Sequence, residues 1–191
     1  MELILVISIS YLMGSIPFGL ILTKVFLKKD IRDIGSGNIG ATNVLRTGNK
    51  LIGYLTLILD VLKAAVPVLY IKFNFPELVY ISALSAFIGH VFPVWLKFKG
   101  GKGIATYLGI IIALSFKLGI IFTVTWLLIS FIFRYSSLAS MISGLAVLIY
   151  SIILEDNGQS IFLFIIFIII LYTHRENIIR LKDSKETKIK L

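Results

Sequence analysis

The sequence predicts an all-α integral membrane protein: a bundle of seven transmembrane helices with cytoplasmic-side glycine-rich loops, built as one domain over residues 1–191. Three observations point there. First, 58% of the residues are hydrophobic and the mean hydropathy is +0.97, against about 45–50% apolar in an ordinary soluble domain. Second, the apolar residues come in blocks, the pattern of membrane spans. Third, two polar, glycine-rich segments interrupt those blocks: GSGNIGATNVLR (Gly35 to Arg46) and KFKGGKGIAT (Lys97 to Thr106).

Seven apolar segments can be marked: Leu3–Thr23, Leu51–Ile71, Leu78–Leu96, Ile104–Ser115, Leu118–Phe133, Leu138–Leu154 and Ile161–Tyr172. A full crossing takes roughly 20 residues, with a range of about 17–25. The first three fit. The last four are short and must extend into flanking polar residues or thin the bilayer. Reading Ile104–Phe133 as one tilted helix would give six crossings instead.

Charge decides for seven. Place the N-terminus outside. Lys24, Lys28, Lys29, Arg32, Arg46, Lys50, Lys97, Lys99, Lys102, Arg134, Arg175, Arg180, Lys182, Lys185, Lys188 and Lys190 then lie inside with the C-terminus. Only Lys72 and Lys117 lie outside, and Lys63 falls within a span. This is the asymmetry of the positive-inside rule, and six crossings would put the basic tail on the wrong side. The tail from Lys182 to Leu191 is expected to fray or to lie on lipid headgroups.

Composition excludes several classes. A net charge of +9 in a soluble protein would suggest nucleic acid. Here the charges are divided among short loops, so membrane orientation and an anionic ligand account for them and no nucleic-acid partner is expected. The absence of cysteine rules out disulfides and cysteine metal sites, and two histidines with ten acids leave little for any metal cluster. The opening Met1-Glu2-Leu3 lacks the basic region of a signal peptide, so the first apolar run is expected to be retained.

The first polar segment reads GxGxxG from Gly35 to Gly40, with Asp60 about twenty residues on. As a dinucleotide fingerprint it fails, because that motif needs a preceding strand within a βαβ unit of about 30 residues. Here a span precedes it and Asp60 falls inside the next one. Without Cβ atoms, Gly35, Gly37 and Gly40 instead let backbone N–H groups point into a shared concavity, a nest for anions. A short helix beginning near Ile39 would bring Thr42, Asn43 and Arg46 towards one face. Ser36 offers a hydroxyl, Asn38 an amide, and Arg46 a fork that matches phosphate geometry. The plain alternative is a flexible turn with capping residues. The coincidence of glycine, amides and arginine at a membrane interface favours the anion site.

In the second segment a glycine–lysine loop opens a helix, whose N-terminus presents unpaired N–H groups and the positive end of the dipole. Gly100, Gly101 and Gly103, with the ammonium of Lys102 among them, suit a phosphate. The Walker spacing GxxxxGK[ST] is absent, so ATP hydrolysis is not implied. A short positive-inside loop would explain the lysines, but not three weak helix formers at a helix start. Just upstream, His90 either touches this site or bonds across helices, and Trp95 suits an interface anchor.

A third polar stretch, THRENIIRL, follows the last span. If that helix continues, His174 and Asn177 lie at i and i+3 and share a face with Leu181. His174 is then the candidate for proton transfer, and Asn177 a donor to an oxyanion or phosphate. An ordinary interfacial helix end, with histidine and arginine suited to the C-terminal dipole, explains the stretch equally well. Asp60 and Lys63, at i and i+3 inside the second span, read first as a mutual ion pair and second as support for the site from below.

Taken together, GSIPFG (Gly14 to Gly19), GSGNIGATNVLR, LDVLKA (Leu59 to Ala64), GHVFPVWLKFKGGKGIAT and HRENIIRL resemble the bacterial PlsY family of acyl-phosphate:glycerol-3-phosphate acyltransferases. The likeness covers nearly the whole chain, with one departure: Ala64 stands where the family usually has glycine. The resemblance implies a seven-span enzyme of the cell inner (cytoplasmic) membrane with its active site at the cytoplasmic face. It further implies acylation of the sn-1 hydroxyl of glycerol 3-phosphate by a fatty acyl phosphate, giving lysophosphatidic acid and phosphate, the first step of phospholipid synthesis. No metal and no cofactor are expected. Ser36, Arg46 and Lys102 would hold phosphate groups, while Thr42, Asn43, His174 and Asn177 would orient substrate or stabilise developing charge. The alternative from another class is an organophosphate transporter with Asp60 and Lys63 lining its path. Against it, no internal repeat is found and the motifs cluster at one interface.

Overall fold

The computed structural model describes residues 1–154 and 157–189, which contain no strand. The chain divides into two compact units, Met1–Leu114 and Ser115–Leu191. The first unit holds α1 (Glu2–Gly14), α2 (Phe18–Leu27), α3 (Ala41–Leu45), α4 (Lys50–Asn74), α5 (Val79–Val91) and α6 (Ile104–Leu114). The second holds α7 (Phe116–Phe133), α8 (Ser136–Ile153), α9 (Asn157–Thr173) and α10 (Arg175–Lys182).

All seven expected segments are helical. Among the described residues, five stretches are long and apolar enough to cross a membrane: Glu2–Leu27, Lys50–Asn74, Pro76–Leu96, Phe116–Phe133 and Ser136–Ile153. A sixth is the pair α9 and α10, bent by 60°. The fourth segment, α6, has 11 residues; at 1.5 Å per residue it rises only about 16 Å, roughly half a bilayer core. Ser115 separates it from α7 with an extended backbone, φ −156°. Ile104–Phe133 is therefore two helices, as the seven-segment count requires. Exposed side chains such as Leu51, Tyr70, Phe131 and Ile153 form apolar surface that lipid, not water, must cover.

The first span differs from expectation. Leu3–Thr23 is not one continuous helix but breaks between Gly14 and Phe18. Pro17 has no N–H to give α1 and drives Ile16 out of helical geometry. Beyond the break α2 ends at Lys28, in the left-handed region at φ 53°.

Two parallel helix pairs organise the first unit. Along α1 and α5, Ser10 pairs with Ser82 (2.8 Å), Tyr11 donates to the Phe92 carbonyl (2.8 Å), and Trp95 donates to Ser15 (2.7 Å). Numbers rise together, so the helices run the same way. Along α4 and α6, Gly109 lies against the Val61 carbonyl, where a Cβ would collide, and Lys72 Nζ donates to the Ala113 and Leu114 carbonyls at 3.0 and 2.7 Å. Gly14 meets the Ala86 backbone in the same manner. Small residues of this kind let membrane helices approach closely. Each polar segment joins the end of the first pair to the start of the second, so both emerge at one face of the unit.

In the second unit a short turn at Arg134 and Tyr135 folds α8 back on α7, and Trp126 donates to Ser140 at 3.1 Å. The helix α9 does not run on past the membrane as a straight rod: the chain bends at His174 before α10. The tail also departs from the frayed expectation. Glu186 accepts from Ser137 (2.7 Å), Asn177 (2.6 Å) and Arg180 (2.7 Å), and the Ile189 N–H bonds the Arg134 carbonyl at 2.7 Å. Lys190, counted among the inner charges, lies outside the described residues.

Candidate active site

The first polar segment is a folded loop, not a flexible turn. Ile31, Ile39 and Val44 pack with Leu20 of α2 and Ile52 of α4, and Leu96 from the entry to the second segment packs on the same cluster. Asn43, on α3 and 2% exposed, ties the loop together. Its Oδ1 accepts from the Ser36 N–H at 3.0 Å, and its Nδ2 faces the carbonyls of Ile31 (3.2 Å), Ile34 (2.9 Å) and Asn38 (2.8 Å).

This geometry revises two expectations. Asn43 spends its amide on the loop, so it holds the site's frame, in place of the phosphate contact expected of it. The N–H groups of Ser36, Gly37 and Gly40 do not form an open nest either. They are bonded to Asn43 Oδ1, the Ile34 carbonyl and Asn38 Oδ1. Asn38 thus braces Gly40 through its side chain.

What the loop presents outward is side chains. Ser36, Thr42 and Arg46 are exposed. Gly35, at φ +56°, has the Arg46 side chain lying directly over it: a Cβ there would sit 2.9 Å from Arg46 Cδ and 3.3 Å from Nη1. Only glycine tolerates both that dihedral and that contact. The Arg46 side chain has no hydrogen-bond or ion-pair partner among the described residues, whereas Arg32 and Lys24 are both engaged by Asp30, at 2.7 and 3.2 Å. The Arg32 hydrogen bond holds the Asp30 carboxyl well below the usual carboxylate range. Within this segment the charge of Arg46 stays available to a ligand.

The second segment is anchored to the end of α5. Gly100 and Gly101 donate to the carbonyls of Val91 (3.0 Å) and His90 (3.1 Å). A Cβ on Gly101 would strike the His90 ring, and one on Gly103, at φ +83°, would strike Phe87. The glycines are demanded by close packing as well as by any ligand. Lys102 is half-buried between them, and α6 begins directly after, its first-turn N–H groups lacking intrahelical acceptors. Thr106, not singled out from sequence, has a fully buried hydroxyl without a hydrogen-bond partner in that first turn. No sequence pattern flags it, because a threonine after a lysine–glycine loop looks like ordinary helix.

Deeper in the unit, Asp60 and Lys63 form the expected ion pair at 2.7 Å. His90 bonds across helices to Lys63 at 2.8 Å and underlies Gly101 at the same time. Its two expected roles are one arrangement.

His174 and Asn177 belong to the second unit, both buried, at 2% and 5% exposure. His174 Nδ1 lies 2.8 Å from the Ile170 carbonyl. The proton sits on Nδ1 in the neutral ring and Nε2 is the basic nitrogen. Asn177 donates to Glu186, within the tail expected to fray or to lie on lipid headgroups. Burial raises the Glu186 carboxyl, but hydrogen bonds from Ser137, Arg180 and Asn177 outweigh it and leave the group below its ordinary value.

A family model described as glycerol-3-phosphate acyltransferase matches residues 4–184. The chain belongs to the glycerol-3-phosphate acyltransferase family. A glycerol-3-phosphate acyltransferase of Pelagibacter ubique is 60% identical over the full length of both chains. One of Mesorhizobium japonicum is 50% identical over 98% of this chain and 96% of its own. Among solved structures, the glycerol 3-phosphate form of PlsY, an integral membrane glycerol 3-phosphate acyltransferase, superposes with a TM-score of 0.93 at 35% identity, covering 100% of this chain and 96% of that one. Its lysophosphatidic acid form gives 0.91 at 34%, with the same coverage. Membership in this family makes the protein a multi-pass membrane enzyme of the acyltransferase class.

Proposed function

We propose that this protein acylates the sn-1 hydroxyl of glycerol 3-phosphate with a fatty acyl phosphate as donor, at the cytoplasmic face of the cell membrane. The family model spans both units, and we read residues 1–191 as one acyltransferase domain. The observation that carries the assignment is the pairing of two phosphate-suited loops at one face of the first unit. One presents Arg46 over Gly35; the other sets Lys102 at the start of α6. The reaction joins two phosphate-bearing substrates, so it needs two such groups. The excess of basic residues in these loops supports a cytoplasmic facing.

The chemistry asks little of a strong base. The sn-1 oxygen attacks the acyl carbonyl carbon, the bond from that carbon to the phosphate oxygen breaks, and inorganic phosphate leaves with its electron pair. An acyl phosphate is a mixed anhydride with a good leaving group, so positioning and charge stabilisation supply most of the acceleration. Ser36, Thr42 and Arg46 orient one phosphate, and Lys102 with the first turn of α6 neutralises the other. The hydroxyl proton passes either to a phosphate oxygen of bound substrate or to His174 Nε2. No metal enters this scheme. Transport has no comparable support, because Asp60 and Lys63 are buried and form an ion pair with each other at 2.7 Å.

The test is direct. Purified protein in detergent, given palmitoyl phosphate and glycerol 3-phosphate, should release phosphate and lysophosphatidate in equal amounts. Product from palmitoyl-CoA but not from palmitoyl phosphate would overturn the donor. Organophosphate uptake by proteoliposomes without any acyl product would overturn the reading altogether.

A further inference from the structure

Lys63 lies mid-way along α4 with its side chain 2% exposed, and its ammonium does more than neutralise a carboxylate. Nζ is 2.7 Å from Asp60 Oδ1, donates to the Ile16 carbonyl at 2.7 Å, and donates to His90 Nδ1 at 2.8 Å. An ammonium has three hydrogens, and three groups meet it, two as hydrogen-bond acceptors and the Asp60 carboxylate as its ion-pair partner. They come from its own helix, from the break between α1 and α2, and from the end of α5. Accepting at Nδ1 fixes His90 with its proton on Nε2. The Nε2 edge of that ring lies against Gly101, whose N–H in turn bonds the His90 carbonyl at 3.1 Å.

We propose that Lys63 is a positioning residue for the Gly100–Gly103 loop, acting from inside the span through the His90 ring on which that loop rests. The inference builds on the reading of the loop as a phosphate contact. Through Ile16 the same ammonium also fixes the bend that leads, by way of α2, to the other polar segment. Stability alone does not account for this cluster. A buried ion pair gains little over apolar side chains of similar size, and replacing both partners is often neutral or better. Removing only one partner leaves an uncompensated charge, so the informative change takes out both.

The experiment compares Asp60→Asn/Lys63→Met with the unaltered chain, in full-length protein, by thermal unfolding and by KM and kcat for both phosphate-bearing substrates. Lys102→Ala, run in parallel, identifies the substrate that the loop handles. The expected result for the paired replacement is a KM for that substrate raised about tenfold or more, as for a misplaced binding group, with kcat changed far less. Combining it with Gly101→Ala, which pushes on the same ring from the other side, should raise KM by less than the product of the separate effects. Should the paired replacement fail to fold, His90→Asn keeps a side-chain acceptor for Lys63 while removing the ring from beneath Gly101, and the same rise is expected. An unchanged KM in these variants while Lys102→Ala raises it, or a strictly multiplicative combination, overturns the positioning role alone. If Lys102→Ala leaves both KM values unchanged, the phosphate-loop reading fails first and the inference falls with it.

Discussion

Replacing Asn43 by alanine separates a residue that holds the loop from one that touches the ligand. Three hydrogens are at stake: the Ser36 N–H accepted by Oδ1, and the two on Nδ2 shared among the Ile31, Ile34 and Asn38 carbonyls. At about 1 kcal/mol net for each hydrogen bond, the closed loop loses about 3 kcal/mol. Local opening then becomes more frequent by about 100-fold. The helices pack through side chains that this change does not reach, so the thermal midpoint should move little. Hydrogen–deuterium exchange of the peptide covering residues 31–43 in detergent should show protection falling by about two orders of magnitude, together with lost phosphate release. Asn43→Asp keeps the Ser36 acceptor but turns a carboxylate on three carbonyls, so it should do no better. If exchange at Ser36 is unaltered while turnover disappears, Asn43 is a substrate contact and the scaffold reasoning is wrong.

Gly109→Val drives a Cβ into the Val61 carbonyl and should destabilise the first unit by about 1–3 kcal/mol or more; an unchanged unfolding midpoint would show that α4 and α6 do not meet there. Because the Glu186 carboxyl is lowered from its ordinary 4.5, its hold on the tail is fully present above that value and is lost as pH falls through the lower folded value. Protease protection of the tail should therefore stay flat from neutral pH to about 5 and drop in stronger acid, while Glu186→Gln should remove the pH dependence. Arg46→Lys keeps the charge but loses the planar fork, so it should recover little of the turnover lost in Arg46→Ala; full recovery would reduce Arg46 to a point charge. His174→Ala should cut kcat by about 100-fold or more if Nε2 takes the hydroxyl proton, and unaltered turnover would assign that proton to a phosphate oxygen.

Much of this was legible because hydropathy and charge are bulk properties of segments. Seven apolar blocks and a one-sided set of lysines and arginines are enough to place both glycine segments together, and the parallel helix pairs place them so. The i, i+3 spacing of Asp60 and Lys63 was equally plain. What sequence could not supply is where a polar atom finds its partner. Asn43 and Arg46 both look like phosphate ligands in a list of residue types. The fold turns the first inward onto four backbone groups and leaves the second outside. Gly37 and Gly40 look like parts of an anion nest, yet their N–H groups are consumed by the turn itself. Glu186 sits in a run of mixed charge that reads as solvated tail, and only the chain's return to Ser137, Asn177 and Arg180 makes it structural. The break at Pro17 was visible as a proline, but inside an apolar run it did not outweigh hydropathy.

The two parallel pairs also set the depth of the second loop. Along α4, Val61 stands about 16 Å past Lys50, and Gly109 stands about 8 Å past the start of α6. Since these two residues touch, α6 begins about 8–9 Å deeper than α4 does, near the level of Thr56. The bonds from Lys72 to the last carbonyls of α6 agree: Lys72 stands about 33 Å along α4, α6 ends at about 24 Å on the same scale, and a lysine side chain bridges the difference. The short fourth span is thus half a helix by design. Lys72 bonds its last carbonyls, and its glycine-lined start lies about 8–9 Å along from the start of α4. The difference in level between the starts of α4 and α6 rests on nothing more than where Gly109 meets Val61.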